Sequence, residues 1–135
     1  MYLVDTSVII DFLRERDNQA VNFFISLLEQ DMPFGITSII YQEVLQGAKS
    51  IQDFNKLRDF LGSLIFYFPK DSVLSYAAAA NIYFDCRKKG VTIRSTIDCL
   101  IVQIAIEHNL QLLHNDNDFI QIANVVPALK IVGMT

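Results

Sequence analysis

Charge is scarce in this sequence. Only 19% of its 135 residues are Asp, Glu, Lys or Arg, against about 25% in ordinary domains. Positive charge is the scarcer sign, with 11 Lys and Arg against 15 Asp and Glu, for a net charge of −4. That balance excludes a simple basic nucleic-acid binder, because phosphate contacts dominate such affinity. A phosphate ligand would need bound cations to reverse the local field. Cysteine is limited to Cys86 and Cys99. With no secretion signal, two cysteines exclude a disulfide scaffold and imply reduced, buried thiols in a cytoplasm. No apolar run approaches the roughly 20 residues that cross a bilayer. The opening Met1-Tyr2-Leu3-Val4-Asp5 has no basic region and meets an acid at once, which excludes a signal peptide. No Pro/Gly/Ser-rich stretch, repeat or low-complexity run divides the chain, so one domain over residues 1–135 is expected.

What the chain has in quantity is apolar side chain, 52% of residues. A domain this small has limited interior, so part of that surface is expected to be covered by a partner or a second copy. The apolar residues fall into alternating elements. Short buried strands are predicted at 2–4, 34–37, 64–68, 110–114 and 130–132. Helical spacing is predicted over 7–14, 18–30, 38–48, 51–61, 71–89 and 95–108, with a turn and short helix at 116–123. Strands alternating with helices predict an α/β fold with a central parallel sheet of four or five strands and helices on both faces.

Several acids then fall at telling positions. Asp5 directly follows the first strand, and Asp116 follows the 110–114 strand, with Asp118 two residues on. Ligands of open α/β sheets bind beyond the carboxyl ends of the strands, so these acids belong at one edge on neighbouring loops. Glu43 projects between Ile39 and Ile40 by helical period, which points it inward, where an acid needs a partner or a metal. Asp98 opens a helix whose inner stripe is read as Ile97, Leu100, Ile101, Ile104 and Ala105. Each acid also has a plain structural role open to it. Asp5 could cap the following helix, Ser95-Thr96-Ile97-Asp98 could form a capping box, Glu43 could be a satisfied buried polar group, and Asp116 and Asp118 could be turn residues.

Taken together the acids form a hard oxygen donor set without a Cys/His cluster, which selects Mg²⁺ or Mn²⁺ over zinc. Asp116-Asn117-Asp118 does not continue as a calcium loop, because Phe119, Ile120 and Ile122 follow and the closing Glu is absent. Carboxylates around Mg²⁺ suit phosphoryl transfer to water. A phosphohydrolase acting on small esters would place a second Asp two residues after the first, whereas Thr6-Ser7 follow Asp5 here. A binding module that has lost catalysis would not need the full acidic set.

The ordered set Asp5-Thr6-Ser7-Val8-Ile9-Ile10, Glu43, Thr96-Ile97-Asp98-Cys99-Leu100-Ile101 and His114-Asn115-Asp116-Asn117-Asp118-Phe119 resembles a PIN domain. More narrowly, it is similar to the VapC-type toxins of bacterial and archaeal toxin–antitoxin pairs, over nearly the whole chain from Tyr2 to Val132. The resemblance implies Mg²⁺- or Mn²⁺-dependent endoribonuclease action on structured RNA by metal-activated water, in a homodimer held in check by a small cognate antitoxin. A PIN nuclease of RNA processing is the alternative. By resemblance the four catalytic acids are Asp5, Glu43, Asp98 and Asp116, all as metal ligands or water holders, with Asp118 as a further metal residue. Thr6 and Ser7 match small hydroxyl residues beside the first acid and are assigned to substrate binding.

One departure is His114, where relatives often carry Thr or Ser. It is read as a surface or strand-end residue, with protonation of the leaving group as the sharper alternative. Asp11 is read as solvated. Arg87, Lys88 and Lys89 fit a helix C-terminus, and Arg94 is assigned a phosphate contact because it precedes Asp98. Phe66, Tyr67 and Phe68 are read as core packing before base stacking.

Overall fold

Tyr2–Val4 (β1) is the middle of the molecule because Leu3 and Val4 are fully buried and meet neighbours on both sides. In this computed structural model, which describes residues 1–133, β1 pairs in parallel with Phe34–Ile36 (β2) and with Gln111–Leu113 (β4). Leu3 lies opposite Gly35 on one side and Leu112 on the other. Ile65–Phe66 (β3) adds beyond β2 and Lys130–Ile131 (β5) beyond β4, giving the all-parallel order β3-β2-β1-β4-β5. The expected α/β architecture holds. Met134 and Thr135 lie outside the described residues.

The crossovers are helical. Thr6–Leu13 (α1) and Gln19–Glu29 (α2) connect β1 to β2, and Ser38–Gln46 (α3) and Ile51–Gly62 (α4) connect β2 to β3. Leu74–Lys88 (α5) and Thr96–Glu107 (α6) carry the chain back to β4, and Asn117–Val125 (α7) leads to β5. Right-handed crossovers put α1 to α4 on one face and α5 to α7 on the other. The packing agrees: α1 touches α2 and α3, α3 touches α4, and α5 touches α6 and α7. Phe24, Ile40 and Leu61 fill the first layer, and Ile101, Ile104, Phe119 and Ile122 fill the second.

Four boundaries or faces differ from the sequence reading. The helix expected from residue 71 begins at Leu74, because the Asp71 carboxylate accepts from the Val73 and Leu74 N–H groups and makes a turn. The extended run at 64–68 pairs only at Ile65–Phe66. The last helix is a full one that reaches Val125. Ile97 is not on the inner stripe of α6; it is 38% exposed, and Cys99 and Val102 are buried instead.

Gly35 has a packing reason. A Cβ there would stand 2.5 Å from the Tyr67 ring and 2.8 Å from the Ile65 carbonyl oxygen. Tyr67 is therefore packed over β2, and Phe66 stands edge-on to Tyr41, while Phe68 is exposed. Cys86 and Cys99 are both buried and free, as expected, and burial pushes the Cys99 thiol up to about 11.

Candidate active site

The strand order reverses direction between β1 and β4, and ligands of open α/β sheets bind at the carboxyl ends of the strands beside such a switch point. Asp5 stands there. Its backbone N–H donates to the Leu113 carbonyl at 2.9 Å, which ties the end of β1 to the end of β4. Its carboxylate also caps α1, with Oδ2 accepting from Ser7 N–H at 3.0 Å and from Ser7 Oγ at 2.7 Å. The capping role and a site role are thus compatible in one residue.

The neighbouring hydroxyls are engaged with acids. Thr6 Oγ1 donates to Glu43 Oε1 at 2.9 Å, across α1 and α3. Glu43 is half-buried rather than interior, as its expected position between Ile39 and Ile40 would have made it. Ser7 Oγ donates to Asp5 and accepts the Asn115 N–H at 3.0 Å. Thr6 and Ser7 therefore orient acids and loops, whatever else they touch.

Asp98 sits in the first turn of α6. Ser95 makes no side-chain capping bond, so the capping box is not formed. The Asp98 carboxyl is pushed up to about 7, first by burial and then by the charges of Asp5, Asp116, Asp118 and Glu43. Asp116 caps α7, with Oδ1 accepting the Asp118 N–H at 3.0 Å. Asp118 itself is buried. One carboxylate oxygen from each of Asp98, Asp116 and Asp118 lies within 4.8 Å of the others. Asp5 acts on Asp98 through its charge, and burial raises its own carboxyl from its ordinary value.

This donor set fits a hard divalent cation. Octahedral coordination at about 2.1 Å spans oxygens up to about 4.2 Å apart, and the trio's oxygens all lie within 4.8 Å of one another. Arg94 is the cation that faces these acids: its Nε donates to Asp118 Oδ2 at 3.1 Å and Nη2 stands 3.7 Å from Asp116 Oδ1. Of the acids expected at the site, Asp98, Asp116 and Asp118 come together with Arg94, while Asp5 and Glu43 are near enough for their charges to act on Asp98.

Two readings change. His114 is a strand-end residue, yet buried rather than at the surface. Its Nδ1 accepts the Asp116 N–H at 3.2 Å, and its ring packs on Phe119. Burial lowers its pKa, so the ring stays neutral and serves as an acceptor. Asp11 is not solvated. Its Oδ2 accepts from Asn115 Nδ2 at 2.8 Å and from Asn18 Nδ2 at 3.2 Å. Asn115 thus anchors the loop before Asp116 through both its backbone and its side chain, and its role was missed. The available signal was that Ser7 and Asp11 lie four apart on one face of α1.

The PIN domain family profile matches residues 2–125. The chain belongs to the PIN domain family. It is 33% identical over 129 residues to ribonuclease VapC11 of Mycobacterium tuberculosis and to a VapC ribonuclease of Mycobacterium bovis, covering 93% of each chain. Among solved structures, this PIN chain is similar to VapBC2 of Rickettsia felis bound to a promoter DNA fragment, with a TM-score of 0.72 and 22% identity over 99% of this chain and 98% of that one. It is also similar to a toxin–antitoxin complex from Klebsiella pneumoniae, with a TM-score of 0.68 and 22% identity over 97% and 100%. At that identity the structures speak for the fold. Among the described residues, no helix of this PIN chain is long and apolar enough to cross a membrane.

Proposed function

We propose that the chain is a VapC-type endoribonuclease, the toxin of a toxin–antitoxin pair, which cleaves structured RNA with Mg²⁺ or Mn²⁺. The carrying observation is the trio of Asp98, Asp116 and Asp118, with one carboxylate oxygen of each within 4.8 Å of the others, and with Asp5 and Glu43 close enough for their charges to raise Asp98. The similarity to the mycobacterial VapC ribonucleases supports ribonuclease action.

Asp98, Asp116 and Asp118 would hold the cation, with Asp5 beside them and Glu43 at the rim. When bound, such a cation lowers the pKa of water and stabilises charge on the attacking and leaving oxygens. The chain's own part is positional. Ser7 and Leu113 fix Asp5, Thr6 fixes Glu43, and His114 fixes the Asp116 backbone. Water attacks the scissile phosphorus and the ribose 3′ oxygen leaves, with no protein nucleophile required. Arg94, which faces the acids, is the cation placed to meet phosphate.

The exposed apolar surface supports a homodimer. Val73 and Leu74 are 71% and 69% exposed, and a groove of about 460 Å³ beside them is lined by Ile39, Tyr76, Tyr83, Ile97 and Leu100. Solved structures of VapBC and toxin–antitoxin complexes among the similar proteins support a small antitoxin as partner.

The test is RNA cleavage by the purified protein with Mg²⁺ or Mn²⁺, and by the Asp5→Asn variant. Cleavage by the wild type, lost in Asp5→Asn with an unchanged circular-dichroism spectrum, is the expected result. Full cleavage by Asp5→Asn would refute the site. Growth arrest on expression, relieved by a small protein encoded beside the gene, tests the toxin role.

A further inference from the structure

Arg94 holds two of the three carboxylates that are spaced to take a cation. Its Nε donates to Asp118 Oδ2 at 3.1 Å, and Nη2 stands 3.7 Å from Asp116 Oδ1. Asp116 and Asp118 also belong to the trio with Asp98. The same two side chains are therefore shared between an internal cation and any ion that enters.

The two occupancies oppose each other. A guanidinium does not lose its proton in a protein, so its charge cannot be removed to make room. The Arg94 side chain is 74% exposed, while Asp118 is 9% exposed. The arginine is thus the mobile member of the pair and the aspartate the fixed one. The contact to Asp116 is longer than a hydrogen bond, so the grip is uneven.

Resting on the nuclease reading above, we propose that Arg94 is a built-in competitor for the divalent cation, a positioning residue that neutralises the pocket when it is empty and turns to the substrate phosphate when a metal arrives. The three acids would otherwise repel one another and Asp5 without relief. A displaced Arg94 stays at the rim, where a phosphodiester is its nearest alternative partner. Metal and RNA then help each other to bind, since each favours the state with Arg94 released.

The test is a Mn²⁺ titration without RNA, read by electron paramagnetic resonance or calorimetry at fixed ionic strength. Wild type is compared with Arg94→Gln and with Lys130→Gln, which removes the same charge at the amino end of β5, the opposite edge of the sheet. A unit charge about 5 Å from a doubly charged ion weakens its binding roughly tenfold even at the dielectric of water. Arg94→Gln is expected to bind Mn²⁺ about tenfold tighter, and Lys130→Gln as the wild type does. Equal or weaker binding by Arg94→Gln overturns the proposal, as does equal tightening in both variants. Absence of Mn²⁺ binding in all three proteins would instead remove the metal-nuclease reading on which it rests.

Discussion

The Thr6 hydroxyl donates a 2.9 Å hydrogen bond to Glu43, 37 residues away, and joins the first turn of α1 to α3 at the site. The bond fixes one oxygen of a half-buried acid. Thr6→Val keeps the shape and removes the donor. The expected result is a loss of activity of roughly 10–100-fold, the scale for partners that orient ligands. Stability should fall by about 1 kcal/mol. Initial rates and urea unfolding measure the two effects, and wild-type rates in the variant would deny Thr6 this role.

Asp11 and Asn115 offer a test of loop anchoring. Their 2.8 Å contact spans 104 residues and braces the segment before Asp116. In a double-mutant cycle with Asp11→Ala and Asn115→Ala, a coupling of about 0.5–1.5 kcal/mol is expected in unfolding free energy. Strict additivity would show that the contact carries no stability.

The pH dependence of the metal-free chain follows from Asp98. Its carboxyl titrates at about 7 in the fold against an ordinary value of 3.8. Between those values the folded chain keeps a proton that the unfolded chain has lost, so stability falls as pH rises through this window. Asp5 is shifted the same way. His114 acts oppositely, because its buried ring resists a proton that the unfolded chain accepts below about 6.5. In chelator, the melting temperature of the wild type should decline from pH 5.5 to 7.5 relative to that of Asp98→Asn. Added Mg²⁺ should raise the wild-type melting temperature more at pH 8 than at pH 6. Parallel wild-type and Asp98→Asn curves in chelator would contradict the shift.

Gly35→Ala tests the close approach of β2 to β3. The new methyl group would meet both the Tyr67 ring and the Ile65 backbone oxygen. Overpacking of this kind costs about 1–3 kcal/mol. Adding Tyr67→Ala should not restore the loss, because the carbonyl contact remains. Urea midpoints equal to the wild type would show that β3 can move away.

Much of this arrangement was legible before any coordinates. Asp5 and Asp116 could be placed because a parallel sheet collects strand ends at one edge, whereas helical phase put Glu43 deeper than the half-buried position it takes beside Thr6. The rest depended on partners remote in sequence. The four-residue spacing of Ser7 and Asp11 puts them on one face of α1, but it does not name Asn115 as the partner that arrives from the other end of the chain. His114 looked like surface because its polar ring hides the fact that Phe119 packs on it. Ile97 obeys the helical period yet faces outward, since period alone does not say where the buried stripe of α6 stops. Arg94 could be placed near the acids, but its grip on Asp116 and Asp118 is a matter of side-chain direction that spacing does not encode.

The central position of β1 bears on how the protein is made. This strand is translated before the other elements of the domain, but one of its two neighbours, β4, follows more than a hundred residues later. A nascent chain that has not yet exposed Asp116 and Asp118 has an open flank along β1 and an unfinished pocket. Whatever chemistry the acids perform is therefore withheld from the growing polypeptide until the residues that follow β4 have been made.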